Sequence, residues 1–154
     1  VKEACKIAWQ ALDTRAHQDG RIEIGTTMVL ASIEKERITI AHCGDSRCYL
    51  LRNGKMIHQT QDHADPRYGG AITRCFFTSH PQESVPEIMQ CRLQEGDRIF
   101  LCSDGVYRAI RPEILAGHLQ EEQSLESITE TIKTLCEEHS NDNYTGILAQ
   151  IDQI

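Results

Sequence analysis

The chain has no apolar run approaching the roughly 18 residues that a membrane span needs. It has no charged start followed by an apolar stretch, so no signal peptide is read. No Cys-x-x-Cys pair occurs, which removes zinc-ribbon and thioredoxin-like readings. Positive charge is short: 16 Lys and Arg stand against 23 Asp and Glu, for a net charge of −7. That balance argues against a nucleic-acid backbone or an anionic membrane as partner. Internal repeats and low-complexity linkers are missing as well.

What is there fits one globular domain. The 154 residues are 40% hydrophobic and 25% charged, enough to bury a core without staples. Seven cysteines stand at positions 5, 43, 48, 75, 91, 102 and 136. Their number is odd and several lie inside apolar runs, where a free thiol behaves as a small hydrophobe. This usage points to a reducing compartment, the cytoplasm. None sits in a Gly-rich loop that could cradle an anion, so a cysteine nucleophile has no support.

The chain opens in a helix whose apolar residues Val1, Cys5, Ala8, Trp9 and Leu12 share one face. Residues 26–33 are β-branched and apolar on both faces and read as a strand. A charged turn at 34–36 leads to a second strand over 37–43, and Gly44-Asp45-Ser46 turns the chain into a third over 48–52. Asn53-Gly54 is a strong hairpin signal and sends residues 55–60 back as a fourth. Residues 26–60 are therefore expected to form one antiparallel meander. Residues 61–81 read as an irregular excursion, and 85–93 and 98–102 as strands. Pro112 opens a short helix, Ser124 caps a longer one, and 144–151 is a final strand.

The organising stretch is 99–105. A short apolar run suits a strand buried on both faces, and Ser103-Asp104-Gly105 ends it with a carboxylate at the strand's open end. By itself Asp-Gly is a common turn pair. Asp45, Asp62 and Asp142 also stand at strand ends or in loops, where Asp commonly bonds its own backbone. Yet hard divalent cations need carboxylate oxygens gathered from separate loops, and Mg²⁺ or Mn²⁺ suits such an all-oxygen shell. The residues alone leave both readings open.

The order of motifs adds to this. Gly25-Thr-Thr27, His42-Cys-Gly-Asp-Ser-Arg47, Tyr49-Leu-Leu-Arg52, Asn53-Gly54, Thr60-Gln-Asp-His63, Ile72-Thr-Arg74, Glu95-Gly-Asp97, Leu101-Cys-Ser-Asp-Gly105 and Asp142-Asn-Tyr-Thr145 follow one another. That series resembles the bacterial branch of the metal-dependent type 2C serine/threonine protein phosphatases, from about residue 25 to residue 151. The resemblance implies an α+β fold, a four-layer α-β-β-α sandwich of two antiparallel sheets flanked by helices. It implies two or three Mn²⁺ or Mg²⁺ ions held by aspartates at one edge of the sandwich. It implies attack of a metal-activated water on phosphoserine or phosphothreonine in a phosphoprotein, such as a kinase-regulated signalling protein. Carried over by motif, Asp104 and Asp142 resemble ligands of the first metal, and Asp62 resembles a ligand shared with Asp104 for a third. Asp45 reads as a structural turn residue with Arg47 as its partner, and Asn143 as ordering the loop that presents Asp142. His42, His58, His63 and His80 read as scattered, solvated or core residues rather than ligands.

Two departures follow from the same resemblance. The family's Asp-Gly-x-Gly-Gly, whose Asp bridges two metals, does not occur in this sequence, and Asp19-Gly20 is no substitute. Residues 1–154 are thus expected to be a single type 2C-like domain incomplete at its N-terminus, with impaired hydrolysis. The alternative is a catalytically inactive module that binds a protein or phosphopeptide. Second, only eight residues, 64–71, separate His63 from Ile72-Thr-Arg74, where the family carries a longer flap that shapes substrate choice. Cys75-Phe-Phe77 also replaces the family's small, Gly-containing run.

Overall fold

The structure, a computed structural model, describes residues 1–20, 23–78, 82 and 84–154. Helix α1 (Lys2–Gln18) comes first. Cys5, Trp9 and Leu12 turn inward and Ala16 is buried, whereas Val1 and Ala8, expected on that face, are exposed. Strand β1 (Gly25–Thr26) precedes β2 (Met28–Glu34), which pairs with β3 (Arg37–Cys43). Strands β4 (Arg47–Arg52) and β5 (Lys55–Gln59) form a second hairpin. Asn53 and Gly54 close it at φ 50° and 67°, the left-handed pair that the twist of a tight hairpin requires.

The stretch expected to be irregular contains short pairings. Strand β6 (Ala64–Asp65) pairs with β7 (Ala71–Ile72) across a 3₁₀ turn at Pro66–Tyr68, and β8 (Phe76–Phe77) pairs with β1. His80 lies outside the described residues. Then come β9 (Glu87–Arg92), β10 (Arg98–Cys102), a one-turn helix α2 (Asp104–Tyr107), α3 (Pro112–Gln120), α4 (Leu125–His139) and β11 (Gly146–Gln150). Pro112 occupies the first turn of α3, and Ser124 Oγ caps α4 by accepting from the Ser127 amide.

The expected single meander is instead two hairpins in two sheets. One sheet runs β2-β3-β9 and the other β5-β4-β10-β11, all antiparallel. The chain changes sheet at residues 44–46. Gly44 sits at φ 113°, and a Cβ there would lie 2.5 Å from Thr27 Cγ2, so only glycine fits this crossover. Burial drives the split. Cys48 and Leu50 of β4 and Ile99 of β10 pack on Ile38 and Ile40 of β3, between the sheets. Their alternates Tyr49, Leu51, Phe100 and Cys102 pack on Leu115, Leu119, Ile128 and Ile132 of α3 and α4. Each such side chain, fully buried, contributes about 1.5–3 kcal/mol.

On the far side, α1 lays Cys5 and Trp9 against Cys43 and Phe76. The layers are therefore helix, three-stranded sheet, four-stranded sheet, helix pair, as the α-β-β-α expectation has it. Phe76, part of the departing Cys75-Phe-Phe77 run, helps anchor α1: it is 3% exposed, and Trp9 Nε1 donates to the Phe77 carbonyl at 3.0 Å. Among the described residues, β2 and β11 are edge strands, and their Ile33 and Ile147 remain exposed. Burial pushes the Cys48 and Cys102 thiols up to about 12 and Cys43 to about 11, which suits inert core thiols.

Candidate functional site

The site lies at the end of the four-stranded sheet where β4 begins and β10 ends. Asp104 follows β10 directly and opens α2. The loop that carries Asp142 is fastened to the same strand end. Ser103 N donates to the Thr145 carbonyl, Thr145 N to Ser103 Oγ, and Ser140 Oγ to the Gly105 carbonyl at 2.9 Å. A Cβ on Gly105 would lie 2.3 Å from the Asn143 carbonyl oxygen, so glycine is what lets the two loops touch. Asp142 Oδ1 accepts from the Asn143 amide at 2.8 Å. The Asn143 backbone, with Ser140, is what orders this loop.

Asp62 arrives from beyond β5 and is held by Arg47 at the start of β4. Nε donates to Oδ1 at 2.8 Å and Nη2 to Oδ2 at 2.7 Å, a bidentate pair. The guanidinium of Arg47 lies over the Tyr107 ring, 3.4 Å from its centroid. Arg47 was expected beside Asp45; it pairs with Asp62 instead. Asp45 is almost fully buried and takes its charged partner from α2: Arg108 Nη2 donates to its Oδ2 at 3.2 Å. Tyr107 OH donates to the Asp45 carbonyl at 2.9 Å. Arg108 Nη1 also reaches Asp104 Oδ2 at 3.2 Å.

Asp45, Asp62 and Asp104 thus share one end of the sandwich. Burial, then the nearby charge of Asp104, and more weakly that of Asp62, hold the Asp45 carboxyl above its usual range. Like charges crowded enough to disturb one another are relieved by a cation, and oxygen donors of this kind suit Mg²⁺ or Mn²⁺. Sequence reading missed Tyr107 and Arg108. The signal for Arg108 was its i,i+4 spacing from Asp104, visible only once a helix is placed at 104–107.

The histidines are less scattered than their spacing suggested. The His42 and His63 rings stack with centroids 4.5 Å apart and planes 7° from parallel. Together with Glu87 they place ligand-capable atoms within 4.8 Å of one another. Their hydrogen bonds suit an organic network better than a metal. Gly44 N donates to His63 Nδ1 at 3.2 Å, so the neutral ring carries its proton on Nε2, facing Glu87 at 3.4 Å. His42 Nε2 pairs with the Gln61 carbonyl at 2.9 Å. His63 N also donates to the Gly44 carbonyl, so residues 44 and 63 are tied twice and Asp45 and Asp62 are held beside each other. Arg74 of the short excursion brings Nη1 to 3.4 Å from His63 Nε2, but with the proton on Nε2 these are two donors and make no hydrogen bond.

The comparisons with known proteins agree with this geometry. The model of the family described as protein phosphatase 2C matches residues 1–67. The serine/threonine protein phosphatase PstP of Mycobacterium tuberculosis is 30% identical over 142 residues, covering 83% of this chain and 28% of that protein. The serine/threonine phosphatase stp of Listeria welshimeri is 27% identical over 143 residues, covering 82% of this chain and 57% of that protein. The chain therefore spans less than two thirds of the length of these relatives. The crystal structure of the PstP catalytic domain in complex with two manganese ions superposes with a TM-score of 0.78 at 28% identity, over 94% of this chain and 67% of that one. By sequence and by fold, the chain is similar to the protein phosphatase 2C family of serine/threonine phosphatases.

Proposed function

We propose that this chain forms part of a metal-dependent protein phosphatase acting on phosphoserine and phosphothreonine in phosphoproteins, kinase-regulated signalling proteins among them. Asp104 and Asp142 would hold a Mn²⁺ or Mg²⁺ ion, with Asp62 and Asp104 sharing a further one. Such ions lower the pKa of a coordinated water and neutralise charge on the transferring phosphoryl group. The observation that carries this reading is the gathering of Asp45, Asp62 and Asp104 at one sandwich end, where Arg108 reaches both Asp45 and Asp104 and Arg47 holds Asp62. The manganese ions of the PstP structure, a fold neighbour, support it.

This chain's own residues position the donors. The hydrogen bonds of Ser103, Ser140 and Thr145 fix the loops of Asp104 and Asp142 against each other. Arg47 fixes Asp62 while leaving each of its oxygens a lone pair. The sequence 1–154 contains no Asp-Gly-x-Gly-Gly, so turnover by these residues alone should be slow. Seven cysteines with no disulfide among the described residues fit a reducing compartment such as the cytoplasm. No helix among the described residues is long and apolar enough to cross a membrane. Residues 1–154 are read as one domain of the type 2C kind.

A second reading, a module that binds a protein or phosphopeptide without hydrolysing it, is favoured by one observation: Arg47 and Arg108 already neutralise Asp62 and Asp104. Mn²⁺ titration by calorimetry, on this chain and on Asp104→Asn, tests the first reading, with aryl-phosphate and phosphopeptide hydrolysis followed alongside. Binding that weakens at least ten-fold in the variant is the expected result. Phosphopeptide binding with no metal uptake would favour the second.

A further inference from the structure

The acidic end carries two guanidinium groups that behave differently. Arg47 is committed: both of its outer contacts go to Asp62, Tyr107 covers its face, and Nη1 lies 3.3 Å from Tyr49 OH. Its side chain is 18% exposed. Arg108 divides itself. One nitrogen reaches Asp104 and another reaches Asp45, each at 3.2 Å, and its side chain is 57% exposed. Neither contact is bidentate, so its grip is weaker than that of Arg47 and easier to release.

Position decides what this weaker arginine does. The Asp45 carboxylate is 7% exposed and that of Asp104 is 25% exposed, so the guanidinium stands on the solvent side of both. Asp45 and Asp104 come from two loops at the same sheet end, 59 positions apart in the chain, and Arg108 bridges them. A divalent cation approaching Asp104 meets this fixed positive charge at the same carboxylate.

We propose that Arg108, anchored on Asp45, is a tethered cation that competes with divalent metal for Asp104 and so sets the metal affinity of the site. It is a positioning and affinity-determining residue rather than a catalytic one. The proposal rests on the reading of Asp104 as a metal ligand. The opposing possibility is a scaffold role, in which Arg108 steers Asp104 into a ligating pose. The two differ in sign: a competitor's removal tightens metal binding, and a scaffold's removal loosens it.

The experiment is a Mn²⁺ titration, by calorimetry and by loss of the free-ion electron spin resonance signal, on four forms of the chain: unaltered, Arg108→Gln, Arg108→Lys and Asp104→Asn. Arg108→Gln should bind Mn²⁺ about five-fold more tightly or better at low salt, the advantage shrinking as salt screens the charge. Arg108→Lys, which keeps the charge, should stay within about two-fold of the unaltered chain. Thermal melts add a readout that does not depend on turnover. With chelator present Arg108→Gln should melt lower than the unaltered chain, because Asp45 and Asp104 then repel unopposed, and Mn²⁺ should raise its melting point by more. Equal or weaker Mn²⁺ binding by Arg108→Gln, alongside loss in Asp104→Asn, overturns the competitor role and leaves the metal site standing. Binding that ignores Asp104→Asn, or no binding by any form, overturns the metal-site reading and this proposal with it.

Discussion

Strands β4 and β10 carry an Arg–Asp arrangement at each end, and the two ends behave differently. At one, Arg52 meets Asp97 with Nε on Oδ1 at 2.8 Å and Nη2 on Oδ2 at 2.7 Å. Asp97 is fully buried and also accepts from the Gln94 amide, while Arg52 donates to the Arg92 carbonyl. One charge answers one charge and the spare lone pairs are used. At the other, Asp45, Asp62 and Asp104 face Arg47 and Arg108, so carboxylates outnumber guanidiniums. The balanced end clamps the sheet; the unbalanced end is left with an appetite for a cation. The same residue types make a balanced structural joint or a charge-imbalanced candidate site according to stoichiometry and exposure.

The sharpest way to break the comparison is at the balanced end. Asp97→Asn removes the buried member of the pair, leaves the half-buried Arg52 without its charge partner and should cost about 2 kcal/mol in denaturant unfolding. Mn²⁺ affinity should not change, because the site is at the far end of the strands. A loss below about 1 kcal/mol would mean that the clamp matters no more than a surface pair.

At the unbalanced end the expected order of effects reverses. Asp104→Asn should lower Mn²⁺ affinity at least ten-fold, equivalent to about 1.4 kcal/mol, while unfolding stability stays within about 0.5 kcal/mol, since removing one of three crowded carboxylates relieves Asp45. Arg47→Lys comes next. Lysine cannot reproduce the fork on Asp62 or lie flat on Tyr107, so a loss of about 1 kcal/mol is expected. A double-mutant cycle with Asp62→Asn should account for most of that loss; additivity would show that the pair is not coupled.

The smallest effect concerns pH. Burial, with the charge of His42 adding to it, holds the His58 imidazole below its usual pKa, and its buried Nε2 has no hydrogen-bond partner among the described residues. Burial lowers His63 as well. The folded state then binds these protons less readily than the unfolded chain. Stability is full above the unfolded value of about 6.5 and is lost progressively as pH falls from there through the lowered folded values. Urea melts at about pH 7.5 and about pH 5.5 should show that loss, and His58→Gln should shrink it. A loss of unchanged size in the variant would assign the acid sensitivity to His63 instead.

Local physics made much of this legible without coordinates. Alternation placed the long strands, Asn53-Gly54 placed a hairpin, Ser124 placed a cap, and the order of motifs brought out the aspartates of the site. These signals act over a few residues, where backbone geometry and side-chain period leave few choices. Legibility failed where two distant stretches had to meet. The sheet change at Gly44 depended on Thr27, 17 positions away, and on which faces could be buried together. The pairing of Arg47 with Asp62 rather than Asp45, the stacking of His42 on His63, and the reach of Arg108 to Asp45 are settled by packing across 15 to 63 positions. The sequence by itself determined which residue types stand at the strand ends; the tertiary structure alone decided their partners, because charge pairing depends on distance in space and sequence spacing does not supply it.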